Sequence, residues 1–316
     1  MISNWLEQSQ LAMLRWLYDR FLQLIIYPSI WVAAAIASLA IFTQQVLEIG
    51  HDWQPIALIF VTALIPYNLD RIFDSYVQEI PDDKAQLFFR QPCIWALLIG
   101  AIAATTFLLY NAPLKVRYAS IAGIVPLLYG TPLFPLKNSS QWQWYRLKDI
   151  PGSKAWIVGS TLTYAVIALP IAYAGTKFDT VSALTVGDAE FSSAYLTTVL
   201  TTLFMFVFIV TNSHIFDVRD LESDRKKGVV TLPILAGVKG TKVILTAMNL
   251  SMLLTLIVAW VGNIMTYYPE MIFATAINLI YIGRVKVNTP RWIYSIWIEG
   301  CLFVPILANW FKKAIF

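Results

Sequence analysis

Long apolar runs separated by short polar segments fill almost the whole chain. Two examples are IALIFVTALI (56–65) and TTLFMFVFIV (201–210), in which the hydrophobic residues are continuous rather than alternating. Continuous runs of roughly 20 residues are typical of membrane-spanning helices, whereas barrel strands alternate. The pattern predicts about nine spans, at 21–47, 54–70, 93–111, 116–134, 155–175, 194–216, 241–262, 267–283 and 292–311.

The predicted fold is therefore all-α, a polytopic membrane protein whose spans form one bundle. Asp70 and Asp220 each begin an Asp-x-x-x-Asp motif, and each motif closes an even-numbered span before a polar loop. This crude internal repeat predicts two four-helix halves plus a ninth helix. We expect a single membrane-embedded domain over residues 1–316.

The first twenty residues allow two interpretations. Trp5, Leu14, Leu17 and Tyr18 recur at helical spacing, which is typical of an amphipathic helix lying in the membrane interface. The alternative for residues 1–20 is a frayed cytoplasmic lead into the first span.

Composition agrees with a membrane protein. The chain is 58% hydrophobic with a mean hydropathy of +0.63, against about 45–50% apolar residues in soluble domains. Its two cysteines and two histidines lie too far apart for metal or redox spacing. The net charge of +4 reflects membrane topology rather than nucleic-acid binding.

The basic residues predict an orientation. If the N-terminus is cytoplasmic, 18 of the 23 Lys and Arg residues lie on the cytoplasmic side and 5 on the other. Positive residues are enriched in cytoplasmic loops. We therefore expect the N-terminus and both acidic motifs on the cytoplasmic side.

The acidic motifs are the chemically notable feature of so apolar a chain. Asp70 and Asp74 are four residues apart, and Asp217, Asp220 and Asp224 follow at three and four. These spacings put each set on one helical face, where like charges repel unless a cation lies between them. Carboxylates on two helices suit Mg²⁺, which prefers oxygen ligands and keeps substrate phosphates in its shell. The alternative is a set of salt bridges to Arg71, Arg219, Arg225 or Lys226.

A basic loop follows the predicted fourth span. Residues 129–154 carry Lys137, Arg146, Lys148 and Lys154 on the same predicted side as the acidic motifs. Such bases can bind a phosphate leaving group. The alternative is an ordinary positive cytoplasmic loop.

The motifs resemble those of the UbiA superfamily of intramembrane prenyltransferases, and the resemblance covers nearly the whole chain. DVRDLESDRKKGVVTLPILAG (217–237) is similar to the superfamily's second aspartate-rich motif, with its Asp residues followed by a base, Gly and Thr-Leu-Pro. DRIFD (70–74) is similar to the second half of the first motif. YGTPLFPLK (129–137) resembles the superfamily's Tyr-x-x-Pro segment with a base behind it.

The first motif departs from the superfamily pattern. That pattern opens with Asn-Asp, four and three residues before the aspartate that Asp70 matches, and here these positions hold Pro66 and Tyr67. Asn68 is close to these positions but out of register with the pattern, and its side-chain oxygen is the candidate replacement for the missing carboxylate. The loss of a carboxylate implies fewer metal ligands, a changed substrate or lost activity.

The resemblance implies a Mg²⁺-dependent prenyltransferase that moves a prenyl group from a prenyl diphosphate to an unidentified lipophilic acceptor among the membrane lipids, with no nucleic-acid partner. The implied metal ligands and catalytic residues are Asp70, Asp74, Asp217, Asp220 and Asp224, with Tyr129 stabilising an allylic cation through its ring. The implied substrate-binding residues are Asn68, Arg71, Lys137, Arg146, Lys148, Arg225 and Lys226. The alternatives are a non-catalytic prenyl-lipid carrier on the same scaffold and a UbiA-like terpene cyclase.

Overall fold

The computed structural model describes residues 2–77, 83–125, 132–138, 141–146, 150–175 and 189–315. Over these ranges the fold is helical apart from one short hairpin. The α-helices are α1 (Ile2–Phe21), α2 (Ile30–Val46), α3 (Trp53–Val77), α4 (Asp83–Phe89), α5 (Pro92–Asn111), α6 (Leu114–Ser120), α7 (Ser153–Ala174), α8 (Ala189–Arg219), α9 (Leu221–Lys227), α10 (Leu232–Val261), α11 (Pro269–Arg284) and α12 (Val304–Ile315). The π-helices are Leu22–Ile26 and Ile293–Ile298, and the 3₁₀ turns are Ile121–Gly123 and Cys301–Phe303.

Six helical segments in the described part of the chain are long and apolar enough to cross a membrane. A seventh results if the bent pair Leu11–Ile26 and Ile30–Val46 is one span. These seven overlap predicted spans, so the chain is an integral membrane protein. The two other predicted spans overlap α6 and α11, which are shorter, and the count of nine stays a prediction.

The predicted fourth span is wrong at its C-terminal end. Residues Pro132–Asn138 form strand β1, which pairs antiparallel with β2 (Gln141–Arg146). Pro132 and Pro135 lack the backbone N–H that a helix interior requires, whereas an edge strand tolerates proline. In a two-stranded hairpin both strands are edges, so the prolines fit there.

The first span is bent by 60° near Pro28. Ser29 has a positive φ of 60°, so the helix cannot continue through it. Asn68 of α3 holds the bend from the side: its amide nitrogen donates to the Pro28 carbonyl at 3.0 Å and to the Leu64 carbonyl at 2.8 Å. Its amide oxygen accepts from the Ser29 hydroxyl at 3.3 Å.

One hydrophobic cluster joins α2, α3, α7, α8 and α10 at the centre of the bundle. Helices α7 and α8 pack closely at Gly159, where an added Cβ would lie 2.3 Å from Val210 Cγ2. This close packing sets the spacing of the two helices that lead to the second acidic motif.

Candidate active site

The second acidic motif lies where α8 gives way to the short helix α9. The chain turns at Asp220, and α9 then ends at Gly228, whose positive φ of 70° suits glycine. Pro233 lies in the first turn of α10, where its missing N–H costs nothing. The motif therefore spans the end of α8 and the short helix α9.

Lys154, at the start of α7, brings two of these aspartates together. Its ammonium nitrogen lies 3.0 and 3.1 Å from the two carboxylate oxygens of Asp224 and 3.4 Å from Asp217 Oδ1. The carboxylates are almost entirely buried, with 3% of the Asp217 side chain and 5% of the Asp224 side chain exposed. Burial raises the pKa of Asp224, and the charge of Lys154 opposes that rise.

Asp220 has a different partner. Arg219 binds it through two hydrogen bonds, Nε to Oδ1 at 2.8 Å and Nη2 to Oδ2 at 2.7 Å. Burial acts to raise the pKa of Asp220, but the hydrogen bonds and charge of Arg219 leave that pKa below its usual value. The guanidinium of Arg219 also stacks on Phe216 and Tyr294, so its position is fixed on several sides.

A buried histidine lies one turn before the motif. His214 has its Nδ1 3.5 Å from Asp217 Oδ2, and its ring meets Trp156 edge to face. Neither ring nitrogen of His214, nor Asp217 Oδ2, has a hydrogen-bond partner among the described residues. Asp217 thus has one oxygen on Lys154 and the other beside His214.

The first acidic motif is more open. Asp70 is exposed near the end of α3, and its carboxylate forms no ion pair with any basic residue that the structure describes. Arg71 instead turns toward the bend, donating to the Ile26 carbonyl at 3.0 Å, and it lies 3.9 Å from the buried carboxylate of Glu299. Asp74 is in α3, and its side chain lies outside the described part.

The remaining predicted site residues are only partly described. Tyr129 and Lys148 lie outside the described residues. The hairpin contains Lys137 and Arg146, of whose side chains the structure says nothing. Helix α9 carries Arg225 and Lys226, both exposed at the motif end of the bundle.

Three residues around the motifs were missed as site residues: Lys154 as the partner of the aspartates, His214 and Glu299. Lys154 was visible only as one of several loop bases, and no spacing rule links it to residues about seventy positions later. Glu299 had a usable signal, because a carboxylate inside an apolar span requires a partner.

The helical bundle, with two acidic motifs at one end, has the fold of solved UbiA homologs. The chain belongs to the VviA prenyltransferase family, whose family model matches residues 32–282, well over half of the chain. A search of curated proteins found no match.

Solved structures show the same fold at low sequence identity. The apo structure of a UbiA homolog from Aeropyrum pernix K1 is 13% identical, with a TM-score of 0.55 over 88% of this chain and 95% of that one. A UbiA homolog from Archaeoglobus fulgidus, bound to GPP and Mg²⁺, is 13% identical, with a TM-score of 0.54 over 91% of this chain and 99% of that one. A digeranylgeranylglyceryl phosphate synthase is 14% identical, with a TM-score of 0.53 over 92% and 96%.

The two motifs differ in how well they fit Mg²⁺. No group of three His, Cys, Asp or Glu side chains in the described ranges is arranged to hold a metal ion. At the first motif, Asp70 is exposed without a basic partner there, which suits an added cation. At the second, Lys154 pairs with Asp217 and Asp224, and Arg219 pairs with Asp220, so each aspartate already has a basic partner. The described residues thus do not fit a metal ion at the second motif, whereas at the first Asp70 has an open carboxylate.

Proposed function

We propose that this protein transfers a prenyl group from a prenyl diphosphate to a lipophilic acceptor inside the membrane. The observation that carries the proposal is the complete second motif, Asp217 to Pro233, folded at the helix ends of a UbiA-type bundle. The Archaeoglobus fulgidus homolog bound to GPP and Mg²⁺ supports the choice of a prenyl diphosphate as donor.

Mg²⁺ would be held by Asp70 and, as the sequence predicts, Asp74. When bound, it supplies positive charge to the leaving diphosphate. Arg225 and Lys226, exposed on α9, would donate hydrogen bonds to phosphate oxygens, together with the predicted bases Lys137, Arg146 and Lys148. Tyr129 is proposed to stabilise the allylic cation.

An apolar cleft offers space for the prenyl chain. Its volume is about 660 Å³, within the usual range for binding pockets. The cleft runs along α2 and α3 and begins at Trp31. The Trp31 ring lies beside Gly300, the residue that follows Glu299 in the chain. The apolar lining would keep water from the cation until the acceptor attacks it.

The test uses purified protein in lipid nanodiscs with Mg²⁺, geranyl diphosphate as the probe donor and a lipid extract as the acceptor source. We expect released diphosphate and a matching prenylated lipid in the mass spectrum. Asp70→Ala should lower the rate by about 100-fold or more, the size of a lost electrostatic contact to the leaving group. Glu222→Ala is the matched control, since Glu222 is an exposed acid on α9 outside the aspartate pattern.

Two outcomes contradict transfer. Binding of geranyl diphosphate without diphosphate release would make the protein a carrier. Diphosphate release that yields a cyclised hydrocarbon and no prenylated lipid would make it a terpene cyclase.

A further inference from the structure

We infer that Lys154 is the permanent cation of the second motif and takes the place that a metal ion would hold between Asp217 and Asp224. The inference rests on the proposed function, because it assigns the charge partner of the same site. The inference adds one point to the proposed function: only the first motif would need an added metal ion.

The geometry excludes a metal and the ammonium from the same space. Lys154 Nζ lies within 3.4 Å of three carboxylate oxygens, two from Asp224 and one from Asp217. Mg²⁺ contacts its oxygen ligands at about 2.0–2.1 Å. An ion bridging Asp217 and Asp224 would therefore have to displace the ammonium group.

The backbone holds Lys154 in this position. Two residues before it, the Gly152 N–H donates to the Val230 carbonyl at 2.6 Å, which ties the start of α7 to the part of the motif that follows α9. Gly152 has a positive φ of 75°, and an added Cβ there would lie 3.3 Å from Leu235. This hydrogen bond joins the backbone near Lys154 to the backbone near Asp224, and it therefore keeps the lysine close to its carboxylate partners.

Burial makes displacement of Lys154 costly. The two carboxylates are almost fully buried, and removing one partner of a buried ion pair leaves an uncompensated charge. Asp220, the third aspartate, is bound by Arg219 through two hydrogen bonds. All three aspartates of the motif therefore have a basic partner from the chain itself.

The experiment counts bound metal with Mn²⁺ alone, by electron paramagnetic resonance on purified protein without any diphosphate. Lys154→Met should bind one more Mn²⁺ per chain than the wild type, and adding Asp217→Asn should remove that extra ion. Lys239→Met is the matched control, because Lys239 is an exposed base on α10 away from the aspartates, and it should bind as the wild type does.

A second comparison does not need a Lys154 variant to fold. In the wild-type background, Asp217→Asn should leave the number and affinity of bound Mn²⁺ unchanged, since Asp217 is not a metal ligand there. A loss of one Mn²⁺ in Asp217→Asn, or equal counts for Lys154→Met and wild type, would overturn the inference. Neither measurement depends on prenyl transfer, so a failure of the proposed activity is read separately.

Discussion

At the scale of single residues, Asn68 shows how a side chain beside the first acidic motif can serve the scaffold. It is fully buried, and its amide makes three hydrogen bonds, to Pro28, Ser29 and Leu64. Two of these join α3 to the bend in the first span, where Pro28 and Ser29 interrupt the helix. The amide thus supplies hydrogen-bond partners to buried backbone and hydroxyl groups at the bend.

Asn68→Ala should destabilise the fold by about 1–3 kcal/mol, because the Pro28 carbonyl and the Ser29 hydroxyl lose a buried partner. The measurement is equilibrium unfolding in mixed detergent micelles. Asn111→Ala is the control: Asn111 is exposed and donates only to its own helix at Phe107, so its loss should cost less than about 0.5 kcal/mol.

The sequence suggested Asn68 as a substrate ligand, and the same variant tests that role. Normal stability of Asn68→Ala combined with weakened binding of Mg²⁺ and geranyl diphosphate would make Asn68 a ligand rather than a scaffold residue.

The sequence identifies the aspartates of the second motif and names Arg219 among their candidate partners, but it does not single out Lys154. The positions of Asp217, Asp220 and Asp224 follow from a local pattern that any reader of the sequence can see. The pairing of Asp217 and Asp224 with Lys154 does not follow from a local pattern, because Lys154 is distant in the chain. The Arg219–Asp220 pair, in contrast, is one of the salt bridges that the sequence offered as the alternative.

At the scale of elements, the contact of α7 with α8 positions the second motif. Lys154 begins α7 and Asp217 lies near the end of α8, and below them Gly159 meets Val210. A glycine at this contact lets the two backbones approach closely, which is how membrane helices commonly pack. The distance between Lys154 and Asp217 therefore depends on a residue that carries no chemistry.

Gly159→Ala should separate these helices, since the new Cβ would lie 2.3 Å from Val210 Cγ2 and 3.1 Å from Val210 Cα. We expect a loss of about 1–3 kcal/mol in unfolding free energy, typical of overpacking. Gly100→Ala on α5 is the control, because nothing lies within 4 Å of its added Cβ. Equal stabilities of the two variants would show that α7 and α8 can shift apart at no cost.

Element boundaries were predictable where apolar runs are long and failed where proline intervenes. The predicted span 241–262 ends within one residue of the end of α10, but the helix begins earlier, at Leu232, and Gly237 breaks its regular geometry near that start. The fourth span was extended into β1 because its residues are apolar, although Pro132 and Pro135 argue for an extended conformation. Hydrophobicity alone does not separate a helix from an apolar strand.

At the scale of the whole molecule, contacts place several predicted cytoplasmic segments at one end of the bundle. Lys154, at the start of α7, meets Asp224 beyond the end of α8. At the end of α3, Arg71 approaches Glu299 near the start of the last span. These contacts join the start of α7 to α9 and the end of α3 to the last span, whichever side of the membrane this end of the bundle faces.

The side itself is the last prediction, and it rests on the 18-to-5 distribution of Lys and Arg. Single cysteines would be introduced by Gln91→Cys and Ile150→Cys, both at exposed positions, after replacing the free cysteines Cys93 and Cys301. An impermeant maleimide should label both in inside-out vesicles and neither in intact cells. Thr266→Cys, exposed between α10 and α11, should show the opposite pattern.

The nine-span topology puts two spans between Gln91 and Ile150, so both positions must lie on the same side of the membrane. Labelling of Gln91→Cys and Ile150→Cys from opposite sides would contradict that topology. Labelling of both from the outer side would keep that topology and reverse its orientation. The second result would place the acidic motifs and the incoming prenyl diphosphate outside the cytoplasm, against the charge distribution that sets the orientation of most helical membrane proteins.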